Sequence, residues 1–199
     1  MKIINDTVAK DFNAVTSERT PFILSRLQGS KILLSFYRNG ACPLSNYRLQ
    51  QLKEYRNEFI DANMQVVSVF ESMPRDIFPF SGRTEHPFFI LADPMALLYD
   101  MYHVETSEEK LKNILIDGTY SKAVANAERK GFLSVPQEGS NFFRQPADFL
   151  IDENFVIRKA HYTNQLNDFL SMGEIMEWAN GGDIMQEKNE VSQLKRKIA

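Results

Sequence analysis

Apolar and polar positions along this chain fall into blocks with two different periods. Lys31–Tyr37 (KILLSFY) is a short, β-rich apolar run. From Pro43 to Ile60 the positions Leu49, Leu52, Tyr55 and Phe59 recur three or four residues apart, the spacing of one helix face. Met64–Phe70 (MQVVSVF) is again continuously apolar and reads as a second buried strand. Strand, helix and strand within about 40 residues make a βαβ unit, whose strands lie parallel and whose crossover is right-handed.

The pattern continues past a Pro-containing connection, Met73 to Pro87, into a third strand at Phe88–Leu91. Asp93 followed by Pro94 then reads as an N-cap with proline at the first helical position, predicting a helix to Tyr102. Thr106 to Lys130 is charged and helical in pattern, interrupted near Asp117–Gly118 and closed by Gly131. With the Gly-, Pro- and Ser-rich stretch Phe132–Asn141 after it, this block predicts an insertion near 105–140 at the periphery of the fold. Asp148–Asp152 and Phe155–Tyr162, separated by a polar turn, predict a β-hairpin. Ser171 and Glu174 form an S-x-x-E capping box for a helix running to Asn180 and stopped by Gly181. Residues 1–182 are thus expected to form one α/β domain, and 183–199 a polar helix or tail with a basic end.

Composition narrows the chemistry. The 199 residues are 43% hydrophobic, enough for one sizeable core. A net charge of -3 with scattered Lys and Arg leaves no basic stripe, so nucleic acid is not an expected partner. The first residues lack the apolar core of a signal peptide and the apolar runs are too short to span a bilayer, so no membrane is expected and the expected location is cytoplasmic. One cysteine excludes an intramolecular disulfide and a multi-thiolate zinc site; the three histidines show no metal-binding spacing, and neither metal nor cofactor is expected.

That cysteine, Cys42, follows the first strand of the βαβ unit and immediately precedes Pro43, which takes the first helical position. Unpaired N–H groups and the positive end of the helix dipole favour a thiolate there, and Arg38, four residues earlier on the same turn, brings a positive charge. The plain alternative is a buried, inert N-cap cysteine.

The segment SFYRNGACPLSNYRLQQLKEY resembles the active-site turn of the alkyl hydroperoxide reductase and thiol-specific antioxidant (AhpC/TSA, peroxiredoxin-like) family, in the branch that reads FYRGxWCPxC. KDFNAV, VVSVFES, FFILADPMALLYDMYHV and RQPADFLIDENFVIRKAHY resemble, in order, that family's PDF strand, second strand, FPLLSDP segment and late PAxFLID hairpin. The resemblance covers most of residues 9 to 180 and implies a thioredoxin-like fold, a central mixed sheet with helices on both faces. It further implies that Cys42 attacks a hydroperoxide and becomes a sulfenic acid. Peroxiredoxins proper read P-x-x-x-T-x-x-C; here Ser35 and Asn39 stand at the proline and threonine positions, and Asn39 keeps a hydrogen-bond donor. By the same resemblance Arg144, just upstream of the FLID run, is the assisting arginine, with Arg38 as rival.

CPLS puts Ser45 where that branch has a second cysteine, so reduction needs an external thiol, glutathione or a thioredoxin-like protein. Ser45 either hydrogen-bonds the Cys42 sulfur or satisfies backbone N–H groups. Pro146 matches the thioredoxin-fold proline that precedes a late strand and faces the active cysteine, which implies a cis bond. Pro43, Ser45 and Pro146 are accordingly expected on the substrate side of the site, and a homodimer is an expected assembly. Two other functions fit the sequence. CPLS also resembles the C-x-x-S of monothiol glutaredoxins, and the missing second cysteine and threonine fit a redox-inactive thioredoxin-fold binding protein.

Overall fold

The Lys31–Phe36 run becomes a central strand because both of its faces are apolar. Ile32, Leu34 and Phe36 enter one core layer, while Leu33 and Tyr37 enter the other. The computed structural model describes residues 1–81, 85–116, 118–135, 137–164 and 168–182. Within them lie strands β1 (Thr7–Val8), β2 (Asn13–Thr16), β3 (Pro21–Ile23), β4 (Lys31–Phe36), β5 (Met64–Phe70), β6 (Phe88–Ala92), β7 (Ala147–Ile151) and β8 (Val156–Tyr162). The helices are α1 (Pro43–Glu54), α2 (Arg56–Asp61), α3 (Pro74–Ser81), α4 (Leu97–Met101), α5 (Glu108–Ile116), α6 (Thr119–Arg129) and α7 (Met172–Ala179).

The strands form one mixed sheet in the order β1-β8-β7-β4-β5-β6-β2-β3. β4, β5 and β6 run parallel, β7 pairs antiparallel with β4, and β7–β8 is the expected hairpin. Helices cover both faces. Leu49 and Leu52 of α1, Phe59 of α2, Ile77 of α3 and Ile175 and Trp178 of α7 fill one layer; Leu98 and Tyr99 of α4 fill the other, beside Phe12 and Phe22. None of the described helices is long and apolar enough to cross a membrane.

Several elements depart from their expected bounds. The helix expected over 43–60 breaks at Tyr55 (φ -100°, ψ 22°) into α1 and α2, although no Gly or Pro stands there. The connection 73–87 contains α3, which begins on Pro74 and tolerates Pro79 inside it; a second proline hides the pattern from sequence reading. Asp93 does cap a helix, but at a distance: Ala96 turns left-handed (φ 55°), α4 starts at Leu97, and the Asp93 carboxylate accepts the Leu97 and Leu98 N–H groups at 3.1 and 2.7 Å. Both halves of the Ser171–Glu174 capping box are present. The cis bond expected at Pro146 is a correction: among the described residues the cis peptide lies at His86–Pro87, and Gln145–Pro146 is trans. The tail expected over 183–199 lies outside the described residues.

Candidate active site

The turn from Arg38 to Cys42 is built by its own polar groups. Asn39 accepts twice, its carbonyl from the Cys42 N–H at 3.1 Å and its Oδ1 from the Ala41 N–H at 3.1 Å. The Gly40 N–H donates to Ser72 Oγ at 2.9 Å. From the first turn of α1, Asn46 Nδ2 donates back to the Gly40 and Cys42 carbonyls at 2.7 and 3.1 Å. Glycine is required at 40 by close approach: a Cβ there would stand 2.6 Å from the Asp76 carbonyl oxygen in α3. Asn46 and Ser72, both buried, complete the turn without standing out in the sequence; an asparagine four residues after the cysteine, on an otherwise core-facing turn, is the signal for the first of them.

Cys42 is the N-cap of α1, with Pro43 at its first position. The backbone N–H groups of Leu44 and Ser45 therefore lie in the first turn, where a helix supplies no acceptor of its own. The residue is 3% exposed and packs in a small apolar cluster with Leu44 of α1, Leu111 and Ile114 of α5 and Ala127 of α6. The block expected at the fold's periphery is thus the roof of Cys42. Its apolar helix faces have nowhere else to go, since the sheet faces are already covered, and they close on the start of α1 instead.

Beside Cys42 the roof leaves a cavity of about 390 Å³. Arg38, Asn39, Cys42 and Pro43 line it, together with Tyr120 of α6, Phe142 and Val135. Ser134, Gln137 and Ser140 add polar groups from the strap that follows α6, which Gln137 fastens down by donating to Ser72 Oγ at 3.0 Å. A neighbouring cavity of about 490 Å³ shares Ala41, Val135 and Gln137 and extends toward Arg75 and Pro79.

The two candidate arginines are held in opposite ways. Arg144 is paired: its Nε and Nη2 donate to Glu71 at 2.6 and 3.3 Å, its Nη1 to the Val104 carbonyl at 2.6 Å, and its Cζ lies 4.6 Å from the Tyr99 ring centroid. Burial, then the neighbouring Glu71, hold the Tyr99 phenol well above its ordinary range, so it stays a proton donor beneath that pair. Arg38 is 3% exposed and stacks 4.6 Å from the Phe142 centroid, while its Nε and Nη1 find no hydrogen-bond partner among the described residues. Arg38 lines the Cys42 cavity; Arg144 and Pro146 do not. Ser45 is buried and no hydrogen bond joins its hydroxyl to the sulfur among the described residues. The geometry therefore brings Cys42, Pro43, Asn39 and Arg38 together and leaves Arg144, Ser45 and Pro146 outside the cavity wall.

The AhpC/TSA family model matches residues 6–160. In three dimensions the chain is similar to peroxiredoxin 6 of Arenicola marina (13% identity, TM-score 0.64, covering 89% of this chain and 72% of that one). It is similar also to a 2-Cys peroxiredoxin of Plasmodium vivax (14%, TM-score 0.60, 89% and 81%) and to peroxidoxin BcpB of Mycobacterium tuberculosis (14%, TM-score 0.58, 82% and 88%). At these identities the likeness is one of fold, and the fold is thioredoxin-like. No curated protein matches the sequence.

Proposed function

Because the chain belongs to the AhpC/TSA family, we propose that it is a thiol-dependent antioxidant oxidoreductase in which Cys42 reduces hydrogen peroxide or an organic hydroperoxide. The observation that carries this reading is the placement of Cys42 at the N-terminus of α1 on the wall of a cavity that also holds the buried guanidinium of Arg38.

In the proposed reaction the Cys42 thiolate attacks the terminal oxygen of the hydroperoxide. An S–O bond forms and the O–O bond breaks; sulfur is oxidised by two electrons to the sulfenic acid, and the leaving alkoxide takes a proton and departs as an alcohol, or as water from hydrogen peroxide. Charge grows on the leaving oxygen, and Arg38 and Asn39, both in the lining of the cavity beside Cys42, are the side chains that can donate to it. Arg144, through Glu71, is assigned a supporting role behind this wall.

No second cysteine exists in the chain, so an external thiol completes the cycle. One thiol condenses with the sulfenic acid, releasing water and leaving a mixed disulfide; a second displaces Cys42 as thiol and carries away the disulfide. Glutathione and a thioredoxin-like protein are the reductants this reading calls for. A redox-inactive binding protein is the second reading, favoured by the 3% exposure of Cys42 within its apolar cluster.

Cys42 alkylation followed against pH, with peroxide consumption measured on wild type and Cys42→Ser in glutathione or thioredoxin, tests these readings. Turnover abolished by the substitution supports the peroxidase. Glutathionylation without peroxide turnover points to monothiol glutaredoxin-like exchange, and a thiol inert to every reagent points to the binding protein.

A further inference from the structure

Among the described residues Arg38 is a cation without a counter-ion. Its side chain is withdrawn from water, and among the described residues two of its nitrogens have no acceptor and no Asp or Glu lines the cavity it faces. Glu71 is tied to Arg38 through the backbone, its N–H donating to the Arg38 carbonyl at 2.9 Å, but its carboxylate is committed to Arg144 and to Asn141. Phe142 and Tyr120 offer their ring faces to the guanidinium, an attraction that leaves the net charge in place. A buried ion with no opposite charge is among the least favourable arrangements a fold can hold, and a ligand of opposite sign relieves it.

The shape of the space points the same way. About 390 Å³ lies within the range of organic-ligand pockets and far exceeds what hydrogen peroxide fills. Its walls beyond Arg38 combine aromatic and apolar surface, from Tyr120, Phe142, Val135 and Pro43, with a few hydroxyl and amide groups.

We propose that this cavity binds an organic anion, its carboxylate seated on Arg38 and its apolar body against Tyr120, Phe142 and Val135, beside Cys42. The inference deepens the peroxidase reading and, for its role in turnover, rests on it. The same chemistry has two sources there: a hydroperoxide that bears a carboxylate, or a carboxylate-bearing thiol reductant.

Benzoate and benzamide, alike in size and differing in charge, are the probes, titrated by calorimetry into wild type, Arg38→Lys and Arg38→Gln. Benzoate is expected to bind wild type at least about tenfold more tightly than benzamide, the scale of a charge-assisted hydrogen-bonded pair; Arg38→Gln removes that preference and Arg38→Lys retains part of it. Equal affinities of the two probes for wild type, or no saturable benzoate binding, overturn the proposal, and this comparison stands even where Arg38→Gln fails to fold. Two kinetic arms identify the source. A preference in kcat/KM for linoleic acid hydroperoxide over its methyl ester, lost in Arg38→Gln, assigns the anion to the peroxide; a preference for glutathione over 2-mercaptoethanol, lost in the same variant, assigns it to the reductant. Benzoate binding without peroxide turnover keeps the anion site and removes the peroxidase reading, whereas hydrogen peroxide turnover with no benzoate binding does the reverse.

Discussion

Replacing Gly40 by alanine adds a single methyl group at the tightest point of the Cys42 turn. The new Cβ would lie 2.6 Å from the Asp76 carbonyl oxygen, 2.9 Å from Ile77 Cα and 3.1 Å from the Asp76 carbonyl carbon. These contacts are with backbone, which has no rotamer by which to step aside. Restoring ordinary contact requires α3 and the turn to separate by roughly 0.8 Å, in a region packed to crystal-like density. Overpacking of this kind costs about 1–3 kcal/mol, against which the lower unfolded-state entropy of alanine returns about 0.4–1 kcal/mol. A net loss of about 1–2 kcal/mol corresponds to a Tm lower by roughly 2–8 °C for a chain of this size. Because the Gly40 N–H and carbonyl also anchor Ser72 and Asn46, the same shift loosens the cavity floor, and Cys42 should be alkylated faster by iodoacetamide in the folded variant. Thermal and urea melts with parallel alkylation kinetics measure both effects. A Gly40→Ala protein as stable as wild type, with unchanged Cys42 reactivity, would refute the close-packing argument.

Arg144→Met takes the ion-pair partner from the partly buried Glu71 carboxylate and should destabilise the fold by about 3 kcal/mol, whereas Arg38→Met orphans no partner and should cost less than about 1 kcal/mol; urea denaturation of the two side by side tests the contrast. Burial opposes the Glu174 carboxylate, but the Lys159 ammonium and the Ser171 N–H and hydroxyl outweigh it and hold its pKa at about 2. Stability from that depressed carboxylate is complete above the ordinary glutamate range and is lost as pH falls toward about 2, so Glu174→Gln should flatten the acid limb of a Tm-against-pH curve. The Tyr99 hydroxyl lies 2.7 Å from the Tyr37 carbonyl oxygen and 3.0 Å from that of Val69; Tyr99→Phe leaves both without it and should cost about 1–3 kcal/mol by chemical denaturation.

Much of this arrangement is written in short stretches of chain. Lys31–Phe36 and Met64–Phe70 are apolar on both faces and can only be interior strands, and Pro43 after Cys42 sets the start of α1. The Ser171–Glu174 box, the β7–β8 hairpin and the break at Gly118 are equally local, since each depends on residues within one turn of one another. The break at Tyr55 and the late start of α4 carry no such mark.

The candidate site divides along the same line. That the sole cysteine caps a helix at the end of a central strand follows from residues 31–49, because periodicity and a proline at the first helical position act at short range. That α5, α6 and the strap behind them close over this cysteine depends on which apolar surfaces are left after the sheet is covered, and only the folded chain decides it. The choice between the arginines is of the same kind. Glu71 and Arg144 stand 73 positions apart and meet only when β5 and the segment before β7 are brought side by side. One carboxylate then serves one guanidinium, and Arg38 is left facing the cavity with its charge unmatched among the described residues.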